Sequence, residues 1–386
     1  MNFRISHSLE AGTRSVNFQT CHHFINTSNA KWKLSSSSRG AAPFFKVNIQ
    51  RQQHRTISLL HKNMTSSTNK QLQSDLDAAI ALVRKYDPSG YLPGILLPHT
   101  PTDARLGYFA VRAFWVESGL RSTDLSDLNK QSNKEPTPQE RMQWWKDRIS
   151  SLYFDDHQEE VKHPTLRLLQ YFMKQQDNKL SKSLFDDILS SREHDFTVKQ
   201  YPFVQSLIQH SQQSCGSLLQ LGLECVHVSS DANPKSYEAA KLIGVCHGLS
   251  NALRTSIPIA SQTGKIIIPE ELCVKYGVRS PRFLLSALCQ GDEKCKLALA
   301  HSVQDITLAA REHLSKARDM RQEILKSDGG DRAMAVFLPG LGSETFLNRL
   351  ERKKFDLTDP ELRSVSLLEH GACASRMIMA WFNTTY

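Results

Sequence analysis

Residues that could bind anions, transfer protons or stack on a ligand lie in four segments of the sequence. In chain order they are Tyr91–Pro98 with Arg105 and Tyr108–Phe114; Trp144–Lys146 with His163–Pro164; Arg192–Phe196; and Gly244–Arg254 with Ile268–Glu270 and Gly277–Val278. The phosphate-loop patterns Gly-x-x-x-x-Gly-Lys and Gly-x-Gly-x-x-Gly and the serine-hydrolase pattern Gly-x-Ser-x-Gly are all absent. The eight cysteines form no Cys-x-x-Cys pair and no Cys/His cluster with zinc spacing. Nucleotide, serine-hydrolase and zinc chemistry are therefore not predicted.

The order of these segments resembles the squalene and phytoene synthase family, the head-to-head prenyl synthases of the isoprenoid synthase fold. That family has a Leu-Pro segment, an arginine, an Ala-Phe helix with aspartates, a Trp helix, and a Gln-x-x-Asn-x-x-Arg-Asp helix before a second Leu-Pro. The similarity covers about residues 75–290; each motif matches loosely, whereas the ordered set is more specific. The resemblance implies an all-α bundle of helices around a deep apolar cavity.

In the enzymes of that family, carboxylates four residues apart project from one side of each of two facing helices and hold Mg²⁺. The metal grips the diphosphate leaving group. If Ala113-Phe114 matches the family's Ala-Phe, the first carboxylate positions fall near Gly119, Leu120 and Thr123, none of which is acidic. A shifted register could restore one or two ligands from the nearby acids, which are Glu117, Asp124 and Asp127.

The second carboxylate pair departs from the family more clearly. If Asn251–Arg254 matches the second helix, the two carboxylate positions fall on Thr255 and Ile259. Pro258 lies between them and is expected to break the helical turn that spaces them. Without metals, ionisation of an allylic diphosphate loses its main charge stabilisation. We therefore expect no bound metal, no cofactor and no catalysis.

Two arginines match positions that face the diphosphate pocket in the family. Arg105 and Arg254 are thus candidates for binding an anionic headgroup or a partner carboxylate. The alternative is a structural ion pair between helices, for example with Glu117 or Asp195. His247 stands inside an apolar helix where the family often has Gln, and there we favour a hydrogen-bonded core histidine over a ligand.

Beyond the synthase-like region, the chain resembles one subgroup of the family, the mitochondrial complex I assembly factor 6 proteins. The matching segments are Leu253–Thr255 with Pro258, Lys265–Pro269, Ala335–Pro339, Phe346–Leu350, Phe355–Leu357 with Asp359-Pro360, and Trp381 with Tyr386. This resemblance implies a non-catalytic protein that binds complex I subunits or early assembly intermediates on the matrix side, peripheral to the inner membrane. The alternatives are an active or residual prenyl-diphosphate transferase, and a carrier with a prenyl or other lipid in the cavity.

One helix near the C-terminus has the pattern of a contact surface. Phe346, Leu347 and Leu350 form an apolar stripe, and Arg349 and Arg352 flank it. Such a helix could lie on a partner or on anionic lipid. The alternative is an ordinary surface helix whose apolar stripe packs into the core.

Helical periodicity dominates the chain from residue 70 onward. Leu72, Leu76, Ile80 and Val83 recur at steps of three and four residues, and similar patterns follow over 102–118, 139–154, 164–175, 181–193, 200–226, 234–256, 294–325, 343–354 and 360–384. Loops are predicted at the prolines of 88–101, at 123–138 and at 327–331. The run 265–269 is too short and isolated to build a sheet. We predict a single all-α domain over residues 70–386.

The positive charge of the chain lies in its first residues. The whole sequence has 48 Lys and Arg against 39 Asp and Glu, and residues 1–74 contain ten of these bases but only one acid, Glu10. Subtraction leaves 38 bases and 38 acids in residues 75–386, which removes the main argument for a nucleic-acid partner. A leader rich in Arg, Ser and Thr with almost no acid is typical of a mitochondrial transit peptide, predicted here over residues 1–69. A disordered basic tail, or an extension before a start at Met64, is the alternative.

Overall fold

Helices account for every regular element in the part of the chain that the structure describes. The computed structural model describes residues 67–97, 103–120, 136–154, 161–175, 180–278, 280–363 and 367–386. The helices are α1 (Ser67–Tyr86), α2 (Pro88–Leu96), α3 (Asp103–Gly119), α4 (Pro138–Ser151), α5 (Pro164–Lys174), α6 (Lys182–Thr197), α7 (Val204–Ser211), a π-helical turn (Gln212–Gly216), α8 (Ser217–Cys225), α9 (Pro234–Thr263), α10 (Glu270–Tyr276), α11 (Pro281–Cys289), α12 (Glu293–Asp319), α13 (Arg321–Lys326), α14 (Gly330–Phe337), α15 (Pro339–Arg352), α16 (Pro360–Arg363) and α17 (Leu367–Phe382). The all-α prediction is confirmed.

The longest helix, α9, forms the centre of the bundle. It packs against α12, α15, α7, α8 and the π-helical turn. Asn233 caps its first turn by accepting a hydrogen bond from the Ser236 amide at 3.0 Å, and Gly264 ends it in the left-handed conformation at φ 67°. The buried residues of α9 recur around most of the helix, as expected for a helix surrounded by others.

The second central helix is α3, which packs against α1, α5 and α8. Phe114 is fully buried and makes edge-to-face contacts with Trp145 of α4 and Phe185 of α6, with ring centroids 5.3 and 5.0 Å apart. Aromatic pairs of this geometry add about 0.5–1.5 kcal/mol each beyond the area that they bury. These contacts fix the orientation of α3 relative to α4 and α6.

The prolines of residues 88–101 were predicted to mark a loop, and this prediction is wrong for α2. Pro88 occupies the first turn of α2, where its missing amide costs no hydrogen bond, and the Asp87 side chain caps the helix. Pro93 lies inside the same helix. The loop predicted at 327–331 is confirmed over residues 327–329, between α13 and α14, and α14 begins at Gly330. Residues 265–269 form no strand, and they connect α9 to α10.

Within the described ranges, no helix combines the length and the apolar character needed to cross a bilayer. Helix α1 begins at Ser67, and the residues before it lie outside the described part of the chain. The leader over residues 1–69 and the domain boundary after it therefore stay predictions.

Candidate functional site

The first predicted metal position lies at the C-terminal end of α3. Gly119 is the last residue of the helix and Leu120 follows it, whereas Thr123 lies outside the described residues. The Arg192 guanidinium of α6 lies against this glycine, because a Cβ added to Gly119 would stand 3.1 Å from the Arg192 Cζ. A side chain at residue 119 would therefore meet a cation.

Arg192 also stacks on Trp115, which precedes Gly119 by four residues and shares its face of α3. The Arg192 Cζ lies 3.9 Å from the centroid of the Trp115 ring, and Nη2 donates to the Trp115 carbonyl oxygen at 3.4 Å. Cation–π contacts are worth about 0.5–2 kcal/mol, more where water is excluded. The guanidinium thus covers the face on which side chains spaced by four residues would project.

No carboxylate forms an ion pair with Arg192 in the part of the chain described here. Asp195 pairs instead with His210, with 2.9 Å between Oδ1 and Nε2. Burial would raise the pKa of Asp195, but the hydrogen bond from His210 and the charges of His210 and Arg192 outweigh it and lower that pKa. Burial lowers the pKa of Arg192, and the charge of Asp195 offsets this only in part. Among the described residues, the Arg192 Nε has no hydrogen-bond partner.

The second predicted position lies on α9. Thr255 and Ile259 keep a spacing of four residues on one helix, because α9 continues without interruption to Thr263. The prediction that Pro258 breaks this turn is wrong. Pro258 is exposed, so water can satisfy the Arg254 carbonyl that the proline leaves without an amide donor. The Thr255 hydroxyl donates to the Asn251 carbonyl oxygen at 2.8 Å, within its own helix.

The residues at these two positions do not fit a divalent metal ion. Mg²⁺ takes oxygen ligands, most often carboxylates together with water and phosphate. Gly119 and Ile259 offer no side-chain oxygen, Thr255 offers a hydroxyl that is already bonded, and a guanidinium lies beside Gly119. In the described ranges as a whole, no group of three or more His, Cys, Asp or Glu side chains could hold a metal ion.

Arg254, the first candidate for anion binding, lies over the Phe346 ring of α15. Its Cζ is 4.6 Å from the ring centroid, and its Nη1 donates to Asn251 Oδ1 at 3.3 Å. The side chain reaches solvent, yet the surrounding protein dehydrates it, and this effect together with the charge of Arg349 lowers the pKa of Arg254. Among the described side chains Arg254 has no carboxylate partner, so it retains donors for an anion.

Arg105, the second candidate, binds the backbone of α2. Its Nη2 donates to the carbonyl oxygens of Ile95 and Leu97, at 2.7 and 3.2 Å. These carbonyls lie at the C-terminal end of α2, where helical partners are lacking. Arg105 therefore secures the end of this helix against α3, and burial lowers the pKa of its guanidinium.

A buried ion pair that sequence reasoning missed lies between the start of α2 and the middle of α3. Arg112 Nη1 donates to Asp87 Oδ2 at 3.0 Å, and both side chains are almost completely withdrawn from solvent. A Cβ on Gly90 would stand 2.4 Å from Asp87 Oδ2, so only glycine leaves room for the pair. Tyr108 lies beside it, with the Arg112 Cζ 5.1 Å from its ring centroid. One charged residue in the apolar run of residues 108–114 was the available sequence signal.

His247 continues this polar region into α9 and α15. Its Nδ1 lies 2.9 Å from the Ser343 hydroxyl, and its Nε2 lies 3.1 Å from Asn251 Nδ2. Burial lowers the pKa of His247 to about 4, although the Asp87 carboxylate acts in the opposite direction. The ring is therefore neutral at pH 7 and hydrogen-bonded in the core, as the sequence favoured.

The stripe proposed as a contact surface on α15 faces the interior. Leu347 and Leu350 are fully buried and Phe346 is 5% exposed. Arg349 lies 3.3 Å from a Glu369 carboxylate oxygen through Nε, and it donates through Nη2 to the Glu361 carbonyl oxygen. Arg352 is exposed at the end of the helix. A membrane or partner could reach the apolar stripe only by displacing the core, which agrees with the alternative left open above.

Comparison with known proteins places this architecture. A human protein named NADH dehydrogenase (ubiquinone) complex I, assembly factor 6 is 27% identical over 289 residues, which are 75% of this chain and 78% of that protein. The mouse protein of the same name is 25% identical over 348 residues, 87% of this chain and 95% of that protein. A solved dehydrosqualene synthase matches the fold with a TM-score of 0.61 at 17% identity, over 81% of this chain and 99% of that one. The family model for squalene/phytoene synthase matches residues 83–369, and the chain therefore belongs to the squalene/phytoene synthase family.

Proposed function

We propose that this chain is a non-catalytic assembly factor for mitochondrial respiratory complex I, which acts by binding complex I subunits or early assembly intermediates. The observation that carries the proposal is the similarity to proteins named complex I assembly factor 6, which extends over 95% of the mouse protein. The enzymes of the family use carboxylates that this chain lacks at Gly119, Thr255 and Ile259.

The absence of catalysis has support in the local geometry of α3. A prenyl synthase needs cations held beside its diphosphate, and these cations act on charge that develops as the leaving group departs. Here the Arg192 guanidinium, stacked on Trp115, takes up that face of α3. The central apolar cavity implied by the family, and a lipid within it, stay predictions.

The proposed location is the matrix face of the inner membrane, with peripheral attachment. Its support is the leader, in which nine bases stand against one acid, together with the names of the relatives as complex I assembly factors. Residues 75–386 carry equal numbers of bases and acids. A neutral body argues for recognition by shape and a few directed contacts rather than by a general positive field.

Arg254 is the residue we propose for one such directed contact. Its planar guanidinium stacks on Phe346 and retains donors for an oxyanion, either a partner carboxylate or an anionic lipid headgroup. Arg352 is a matched control, because it is an exposed arginine at the end of the neighbouring helix α15. Arg254→Gln is expected to weaken rescue of a deletion strain, and Arg352→Gln is expected to restore it fully.

The test of the role is deletion of the gene in its own cell, followed by respiration and native-gel measurements. We expect assembled complex I and NADH-linked respiration to fall while succinate-linked respiration is nearly intact, because only the first route uses complex I. A prenyl transferase would instead deplete a quinone or another isoprenoid and depress both routes. Equal loss of the two routes that added quinone corrects would refute the assembly role.

A further inference from the structure

We propose that the Arg192 guanidinium occupies, as a cation, the face of α3 near its C-terminal end. This face then excludes metal ions, in addition to lacking carboxylate ligands for them. The inference rests on the non-catalytic part of the proposed function and extends it. The Arg192 guanidinium lies beside Gly119, on the face of α3 that would carry carboxylates and their metal in the enzymes of the family.

Three separate contacts hold the guanidinium in this place. Trp115 provides an aromatic face 3.9 Å from Cζ, and the Trp115 carbonyl oxygen accepts from Nη2 at 3.4 Å. The third contact is the close approach of the guanidinium to Gly119. A Cβ at residue 119 would stand 3.1 Å from both Cζ and Nη2, so the absence of a side chain leaves room for this approach. On this face, Trp115 therefore provides an aromatic ring and Gly119, four residues later, provides the space for a planar guanidinium.

The position on the helix favours a cation for a second reason. The last carbonyls of α3 lack helical partners, and the C-terminal end of a helix carries partial negative charge. Arg141 of α4 donates to the Leu120 carbonyl oxygen at 3.0 Å, so a second guanidinium also binds this end. The end of α3 is therefore a cation site that the chain fills with its own arginines.

Arg192 forms no direct ion pair with a carboxylate in the described part of the chain, and Asp195, whose charge acts on it, pairs with His210. A divalent ion brought to the same face would be repelled at short range by this guanidinium. Arg192 also buries its Nε, for which the described residues offer no hydrogen-bond acceptor. A carboxylate placed at residue 119 should consequently pair with Arg192 and not with Mg²⁺.

The experiment compares Gly119→Asp with Gly119→Asn, which has nearly the same shape without the charge. Both are made in the natural chain and in an Arg192→Leu chain, and unfolding is followed in urea with and without millimolar MgCl₂. In the natural background we expect the aspartate variant to have an unfolding equilibrium constant roughly tenfold or more below that of the asparagine variant, as for hydrogen bonds to charged groups. In the Arg192→Leu background this difference should disappear, and MgCl₂ should change neither variant with Arg192 intact.

Any of three results would overturn the proposal: no aspartate–asparagine difference in the natural background, a difference that persists without Arg192, or stabilisation of Gly119→Asp by MgCl₂ while Arg192 is present. If the Arg192→Leu chain does not fold, the two variants in the natural background, with and without MgCl₂, decide the question alone. Failure of the assembly role would show in respiration and leave these stabilities unchanged, so the two failures are distinguishable.

Discussion

Asp87 and Arg112 form a buried ion pair that ties the start of α2 to the middle of α3, with 3.0 Å between Oδ2 and Nη1 and side-chain exposures of 7% and 2%. Burial would raise the pKa of Asp87, but the charge of Arg112 and the hydrogen bond from Ser89 outweigh it and lower that pKa. The pair brings the corner before α2 onto the centre of the bundle.

Asp87→Asn is expected to destabilise the fold by about 3–5 kcal/mol, because it leaves the Arg112 charge buried without its partner. Asparagine also caps helices well, so the loss reports on the charge and not on the cap of α2. Urea unfolding at pH 7 measures it. Asp186→Asn is the control: its carboxylate pairs with Lys182 at 2.9 Å on an exposed face, and its loss should cost less than about 1 kcal/mol. Equal effects of the two substitutions would contradict the buried pair.

The apolar stripe of α15 is buried, which indicates that this helix packs in the core and does not dock a partner through that stripe. Leu350 is fully buried, so Leu350→Ala is expected to cost about 2–5 kcal/mol of unfolding free energy. Arg352→Ala, two residues further and exposed, should change stability by no more than about 0.5 kcal/mol. A Leu350→Ala chain that keeps full stability but loses complex I assembly would show that this leucine contacts a partner instead.

We expect no enzymatic turnover of prenyl diphosphates. Purified protein should release no diphosphate from farnesyl or geranylgeranyl diphosphate in the presence of Mg²⁺. Although α9 already spaces the two residues correctly, Thr255→Asp with Ile259→Asp should not restore release, because α3 still carries Gly119 and Arg192. A phosphate-release assay with a chelator control tests both statements. Chelator-sensitive release by the natural sequence would move the function to prenyl transfer.

The leader makes a prediction that is independent of the fold. Residues 1–69 fused to a fluorescent protein are expected to enter mitochondria, because the segment before Asp75 holds ten bases against one acid. A chain that starts at Met64 should stay outside. Fluorescence microscopy with a mitochondrial dye measures the outcome, and mitochondrial localisation of the Met64 chain would refute the transit-peptide prediction.

Periodicity was sufficient to predict most of the bundle, since steps such as Leu72, Leu76 and Val83 record which side of a helix is buried. Prolines were misleading in two places. Pro88 begins α2, and Pro258 lies on an exposed face of α9, where one lost hydrogen bond is tolerated. Sequence patterns report local preference, and here the tertiary packing decided the outcome.

The site was harder to predict, because its decisive contacts join residues far apart in the chain. The missing carboxylate at Gly119 was visible in the sequence, but Arg192 beside it was not, although it lay in a segment already marked as informative. The Asp87–Arg112 pair likewise spans two helices. A single sequence shows which residue types are present, and only the packing shows which charge lies next to which.

Two titratable groups, the half-buried Glu117 and the buried His247, should give opposite pH dependences of stability that mask each other. Burial raises the pKa of Glu117 from 4.5 to about 7, and a hydrogen bond with Thr165 only partly offsets this. Between these values the native state keeps a proton that the unfolded chain releases, so stability falls as the pH rises. The pKa of His247 is lowered from 6.5 to about 4. Between those values the unfolded chain takes up a proton that the native state does not, so stability rises with pH.

In the shared window each group contributes at most about 1.4 kcal/mol per pH unit, or about 2 kcal/mol between pH 5 and pH 6.5, with opposite signs. His247→Gln should therefore lose about 2 kcal/mol of stability over that rise, relative to the natural chain, and Glu117→Gln should gain about as much. The double variant should follow the natural chain, because the two contributions cancel there as well. Urea unfolding at the two pH values measures all four proteins, and His301→Gln, at an exposed position, is the control for histidine removal. Single variants that both keep the natural pH dependence would show that neither group has the shifted pKa in solution.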